Sequence, residues 1–159
     1  KGQYFVQPEA VVDEKVEVLK GLDGRKMSKS YNNTIPLFVS EKKLQKLVRK
    51  IKTNSLEPGE PKDPDTCTLF QIFSAFASES EALAMRQQYA EGIGWGEAKD
   101  RVFEYVNAHL SAPRERYNAL MEDPAHIEAV LQKGAERARE EAAVTMDRLR
   151  AAVGLGRFV

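Results

Sequence analysis

The sequence predicts a mainly α protein: an antiparallel helical bundle preceded by a short strand-and-loop segment. Three observations carry this. From Ser40 onward apolar residues recur at i, i+3, i+4 and i+7, the period of an amphipathic helix. A period of two is confined to the first nineteen residues. Clusters of Pro and Gly then cut the remainder into helix-length pieces. The 159 residues suffice for one compact domain, or a domain plus a piece of another. Because the chain starts at Lys1, it is expected to be a piece of a longer protein.

The elements follow in order. Tyr4-Phe5-Val6, stopped by Pro8, and the alternating Val16-Glu17-Val18 are expected strands. They have too few partners for a stable sheet, so they read as the edge of a domain whose body lies upstream. Gly21-Leu22-Asp23-Gly24 breaks any regular element, and a polar, basic loop runs from Arg25 to Asn33. With few apolar anchors, Gly21 to Asn33 is expected to be disordered or displaced in the isolated chain. Ser40 is a good N-cap for a helix over Glu41 to Lys52, with Leu44, Leu47, Val48 and Ile51 on one face. Pro58, Gly59, Pro61 and Pro64 mark a linker or exposed loop.

A second helix should follow Asp65 or Thr66, with Leu69, Phe70, Ile72, Phe73 and Phe76 inward; a third spans Ser80 to Tyr89. After Gly92-Ile93-Gly94-Trp95-Gly96, a helix over Glu97 to Leu110 buries Val102, Phe103, Val106 and Leu110. It is expected to continue through a kink at Pro113 towards Leu120 and Met121. Asp123-Pro124 is a cap followed by Pro at the first helical position. That opens a short helix with Ile127, Val130 and Leu131, ending near Gly134. The last helix, Ala135 to Val153, should turn Ala135, Ala138, Ala142, Met146, Leu149 and Val153 inward and end at Gly154 and Gly156. The expected division is residues 1–35, the strand-and-loop segment, and 36–159, the helical domain.

Composition excludes some classes. No apolar run approaches the roughly 20 residues of a membrane span, and no secretory signal opens the chain. Cys67 is alone, so no internal disulfide is expected, and it has no second Cys or His at ligand spacing, so no metal site is expected. The chain reads as soluble and cytoplasmic. The net charge of zero hides an asymmetry: residues 1–52 hold twelve Lys/Arg against six Asp/Glu, and the rest twelve against eighteen. An anionic partner would therefore favour the N-terminal third.

The most informative stretch is Gly24-Arg25-Lys26-Met27-Ser28-Lys29-Ser30. Three cations lie within five positions, beside two hydroxyls. Such a loop can fold over a polyphosphate, with ammonium groups neutralising its oxygens and hydroxyls or backbone N–H groups donating to them. Most Lys/Ser-rich loops are solvated basic turns, and on charge alone that reading leads. The order of residues reverses it. Lys26-Met27-Ser28-Lys29-Ser30 matches all five positions of the KMSKS motif of class I aminoacyl-tRNA synthetases. A fixed five-residue word arises by chance in such a chain on the order of once in twenty thousand.

The flanks Gly21-Leu22-Asp23-Gly24-Arg25 and Tyr31-Asn32-Asn33-Thr34-Ile35 resemble the bacterial tryptophanyl-tRNA synthetases. So do Gly94-Trp95-Gly96-Glu97-Ala98-Lys99 and, near the C-terminus, Gly134-Ala135-Glu136-Arg137-Ala138-Arg139 with Val153-Gly154-Leu155. Tyrosyl-tRNA synthetase is the competing assignment. The resemblance implies that residues 1–35 are the edge of a Rossmann-type catalytic domain and 36–159 a tRNA- or anticodon-binding domain. It implies that Lys26 and Lys29 are catalytic, on the departing β- and γ-phosphates of ATP. Ser28 would be a phosphate donor, Met27 an adenine contact through its backbone, and Gly24 a source of loop mobility.

The parent would use ATP with Mg2+, tryptophan and tRNA-Trp, and would be a homodimer away from membranes. No HIGH-type motif is present, so this piece alone is expected neither to activate tryptophan nor to hold a bound cofactor. The one-signed outer face of the first helix, through Lys42, Lys46 and Arg49, is a candidate contact to the tRNA backbone. Arg114 and Arg116, with Tyr105 and Tyr117, are candidates for base contacts. Two other readings remain open: a helical RNA-binding or interaction module without a catalytic parent, and a bundle that is only structural. Trp95 reads as a packing anchor, Arg25 as a surface charge, and His109 and His126 as surface or packing residues.

Overall fold

The computed structural model describes residues 4–12 and 18–155. Val16 and Glu17 of the second expected strand, and Gly156, lie outside the described residues. The protein is mainly α. Among the described residues five helices follow one another: α1 (Glu41–Lys50), α2 (Thr68–Ser74), α3 (Glu79–Ala90), α4 (Trp95–Met121) and α5 (Pro124–Ala152). A single 3-10 turn, Lys29–Tyr31, precedes them. No described residue belongs to a strand. Tyr4, Phe5 and Val6 are exposed chain without a pairing partner, which corrects the expected strand there. One antiparallel bridge joins Lys20 and Lys26. No helix of the described residues is long and apolar enough to cross a membrane.

The chain forms two compact units. The larger, Val11–Tyr117, holds the core. Its apolar faces are the ones the helical period picks out: Leu44 and Val48 of α1, with Ile51 beyond it; Leu69, Phe70, Ile72 and Phe73 of α2; Val102, Phe103, Val106 and Leu110 of α4. Tyr89 of α3 sits fully buried among them, with Phe70 and Trp95 edge-on at 5.6 and 5.8 Å. Trp95 is thus the packing anchor expected of it, and it opens α4 two residues before the expected Glu97.

The ends of the helices show where side chains prevail over pattern. α1 stops at Lys50, and the Ser40 side chain does not cap it; the Ser40 carbonyl instead accepts from the Lys43 and Leu44 amides. α2 starts late, at Thr68. α3 starts at a Ser78–Glu81 capping box, ahead of the expected Ser80, because the box satisfies two orphan amides at once. α4 runs unbroken through Pro113, as expected of a continuation.

The proline-rich stretch between α1 and α2 is held in place rather than trailing. Lys62 is 4% exposed. Its ammonium donates to the Glu57 and Glu60 carbonyls at 2.9 Å each and lies 5.4 Å from the Trp95 ring centre. Its backbone N–H donates to the Tyr89 carbonyl, and the Gly59 N–H to that of Gly92. Gly92 has φ of +86°, and a Cβ there would overlap Gly59, so only glycine fits.

The smaller unit groups residues 1–10 with those from Asn118 onward. Asp123 caps α5 through the His126 amide, with Pro124 at the first position, as the sequence predicts. The expected break at Gly134 is absent: α5 is one helix of 29 residues. A lone glycine costs about 1 kcal/mol relative to alanine, less than nucleating a second helix would. The expected inward face is also corrected. No residue of α5 is buried; of the named set only Ala135 and Leu149 are partly covered, while Ala138, Ala142, Met146 and Val153 are exposed.

Candidate functional site

The segment from Leu19 to Asn33 doubles back on itself. At its neck, the Met27 N–H donates to the Leu19 carbonyl at 2.9 Å and the Gly21 N–H to Arg25 at 2.7 Å. Gly24, at φ +83°, makes the turn, with its N–H on the Gly21 carbonyl. Beyond the neck, Ser28 caps the 3-10 turn, its hydroxyl accepting from the Ser30 amide at 3.3 Å, and Asn32 ends it at φ +50°. The loop is footed on the helical core: the Lys52 N–H donates to Leu22, and Leu19, Leu22 and Ile35 pack against the buried cluster.

Asn33 is what closes it. The residue is 2% exposed, and its carboxamide uses both ends. Its oxygen accepts from the Ser28 N–H at 2.8 Å. Its nitrogen donates to Asp23 Oδ1 at 2.8 Å and lies 3.2 and 3.4 Å from the Lys26 and Arg25 carbonyls. Its own carbonyl accepts from Leu22. Gly21 runs so close that a Cβ would overlap Asn33. The loop expected to be disordered or displaced, for want of apolar anchors, is folded in the structure, because its main anchor is polar. The sequence marked Asn33 only as part of the flank after the motif and gave it no role: it is one of two adjacent asparagines, and its burial follows from tertiary closure.

Asp23 also ties down Arg25, whose guanidinium pairs with it at 2.7 Å and lies 4.3 Å from the Tyr31 ring centre. The hydrogen bond from Asn33, aided by Arg25, holds the Asp23 carboxyl at about 2, below its ordinary 3.8. Arg25 is therefore a tethered residue rather than a loose surface charge. Lys26 and Lys29 are exposed and pair with no described acidic residue. Met27 and Ser28 are half-buried. The loop thus presents two exposed ammonium groups on a backbone held by the Leu19, Arg25 and Asn33 hydrogen bonds.

The other candidate cations are not brought together. Lys42, Lys46 and Arg116 face solvent. Arg49 instead joins α1 to α4, its Nη2 3.0 Å from Asp100, while Lys99 donates to the Arg49 carbonyl at 3.1 Å. Burial pushes the Lys99 ammonium down from its usual range. Arg114 is half-buried and donates to Asn107 at 2.9 Å. Tyr117 stacks on Phe38 at 4.9 Å, and Tyr105 lies against Phe73 and His109. Cys67 rests 3.6 Å from the Tyr89 hydroxyl, which burial pushes well above its usual range. Among the described residues no three His, Cys, Asp or Glu side chains gather as a metal site requires.

Residues 1–111 match the family model of the class I tRNA synthetases (W and Y). The chain is 53% identical to the tryptophan–tRNA ligase of Neisseria meningitidis over 153 residues, covering 96% of this chain and 46% of that protein. It is 52% identical to the ligase of Pseudomonas aeruginosa over a similar span, covering 34% of it. Among solved structures, the tryptophanyl-tRNA synthetase of Campylobacter jejuni, in complex with ADP and tryptophan, is similar with a TM-score of 0.79 and 41% identity. The match covers 95% of this chain and 48% of that one. The chain therefore spans half or less of the length of these relatives. A five-position KMSKS match on a closed loop, followed by helices and matched by the family model over residues 1–111, shows that this chain belongs to the class I tRNA synthetases of the tryptophan and tyrosine group.

Proposed function

We propose that this chain supplies the ATP loop and the helical domain of a cytoplasmic tryptophan–tRNA ligase. In that reaction the tryptophan carboxylate attacks the α-phosphate of ATP and pyrophosphate leaves; a terminal hydroxyl of tRNA-Trp then attacks the adenylate carbonyl, forming the ester and releasing AMP. The observation that carries the reading is the loop itself: Lys26 and Lys29 are exposed on either side of Met27 and Ser28, while Asn33, Asp23 and the neck amides hold the surrounding backbone. Negative charge grows on the leaving pyrophosphate as the α–β bond breaks, so two ammonium groups there attract the transition state more than the ground state. The Ser28 hydroxyl and the Met27 carbonyl lie between them in sequence, suited to a phosphate oxygen and to the adenine amino group, while the Met27 N–H is held by Leu19.

Mg2+ would enter as the counter-ion of ATP. Asp23, the one carboxylate between Leu19 and Asn33, is engaged by Asn33 and Arg25, so the loop offers the ion no ligand. Residues 1–35 would then belong to the catalytic domain and 36–159 to a tRNA-binding domain, with Lys42, Lys46 and Arg116 as the exposed cations for its backbone. Arg49 and Arg114 already hold protein partners and are weaker candidates for that role.

The test is ATP–pyrophosphate exchange by the full-length gene product. Tryptophan should support exchange and tyrosine should not. Lys26→Ala and Lys29→Ala should each slow it roughly a hundredfold, about 3 kcal/mol, with tryptophan binding nearly intact. Lys42→Ala and Lys46→Ala should leave it unchanged. Equal behaviour of loop and helix lysines would remove the phosphate role.

A further inference from the structure

The loop's lysines gain their placement from a residue that never touches the phosphates. We infer that Asn33 is the positioning residue of the ATP loop, its buried carboxamide binding the backbone on both sides of Met27 and so setting where Lys26 and Lys29 stand. This rests on the ATP-loop reading above.

The geometry is over-determined around one side chain. The turn and the residues that leave it contribute the Asp23 carboxylate and the Arg25 and Lys26 carbonyls, all within 3.4 Å of the Asn33 nitrogen. Just past Lys26 and Met27, the Ser28 amide donates to the Asn33 oxygen at 2.8 Å. Asn33 thus binds the backbone immediately on each side of Met27, between the two lysines. No other uncharged side chain offers donors and an acceptor in this arrangement: a serine is too short, a glutamine a carbon too long, and an aspartate lacks the N–H groups. Asp23 shares the clamp, and its lowered pKa records the same bond from the other side.

Residues on the loop's surface do not explain this investment. A solvated turn needs no side chain at 2% exposure with four bonding partners at its centre. Burying a carboxamide costs free energy unless every donor and acceptor is paired. Here the pairing is with the KMSKS backbone itself. A displacement of about 1 Å in a charge-stabilising group is enough to cost on the order of a hundredfold in rate. Loss of the clamp should therefore act on turnover and leave the amino-acid pocket alone.

Three variants test this in the full-length gene product, with exchange expressed per folded active site. Asn33→Ala should lower kcat by roughly tenfold or more, with the KM for tryptophan within about twofold of wild type. Asn33→Asp should be at least as poor, because it sets two carboxylates across the 2.8 Å now bridged by an N–H. The exchanged pair Asp23→Asn/Asn33→Asp returns a donor to that gap and should recover about tenfold over Asn33→Asp alone. A kcat per folded site equal to wild type in Asn33→Ala, or no recovery in the exchanged pair, overturns the inference.

If Lys26→Ala abolishes exchange while Asn33→Ala does not, the ATP loop stands and the clamp falls. If the unaltered protein shows no tryptophan-dependent exchange, the functional reading falls instead. Hydrogen exchange at the Ser28 amide in the 159-residue chain then decides the clamp alone. It should quicken about tenfold or more in Asn33→Ala, since the amide loses its acceptor. Equal rates overturn the clamp.

Discussion

At the scale of single residues, the loop shows how a charge can be useful by being free and another by being bound. Asp23 and Arg25 neutralise one another beside Tyr31, which leaves Lys26 and Lys29 as the loop's uncompensated charge. The pH dependence of this arrangement has a definite sign. Asp23 is held at about 2 in the folded loop against an ordinary 3.8, so its ionised form stabilises the fold above about pH 4. That contribution fades as pH falls from about 4 through about 2. A carboxyl titration followed by NMR should place the Asp23 midpoint at about 2, below its ordinary 3.8. In Asn33→Ala the midpoint should move up towards the ordinary value, because the first cause of its depression is gone. A midpoint unmoved by that substitution would deny the bond its role. Sequence pattern exposed Lys26 and Lys29 through the order of a motif. It was silent on Asn33, whose importance lies in partners ten and five residues away.

At the scale of elements, legibility tracked burial. Leu44, Val48, Phe73, Val102 and Leu110 were readable as core because each helix presents them at its own period to a common centre. The proline-rich loop was not readable, since Lys62 anchors it through the wrong kind of residue for a buried site. Its ammonium is satisfied by two carbonyls and the face of Trp95. Lys62→Met should keep much of the stem's packing, lose those bonds, leave the Glu60 carbonyl without its ammonium donor and leave the Glu57 carbonyl with the Glu60 amide alone. The expected cost is about 1–3 kcal/mol in urea unfolding. A midpoint equal to wild type would mean that the loop is held by its backbone bonds alone. α5 marks the opposite failure: Gly134 reads as a stop but lies in mid-helix with open space around it. Gly134→Ala should therefore stabilise, with a gain of up to about 1 kcal/mol and more helical ellipticity. A loss of helix on this substitution would place a backbone requirement at Gly134 that its surroundings do not show.

At the scale of the molecule, the two units differ in what holds them. Val11–Tyr117 owns every buried apolar residue among those described, whereas α5 spans 29 residues without one. A helix without a buried face depends on propensity, capping and side-chain pairs. Those are present: Asp123 and Pro124 start it, and Arg137–Glu141 and Arg150–Asp147 pair along it. Each exposed pair adds only a few tenths of a kcal/mol, and a helix held this way is marginal in water. Amide exchange in the 159-residue chain should therefore separate the units. The amides of Val102, Phe103 and Val106 should open only with global unfolding, while those from Ala129 to Thr145 exchange through local fraying at far lower free energy. Salt should widen the gap by screening the α5 pairs while leaving the α4 core untouched. Protection along α5 equal to that of Val102, at low and high salt alike, would show that its stability comes from packing, contrary to its exposure.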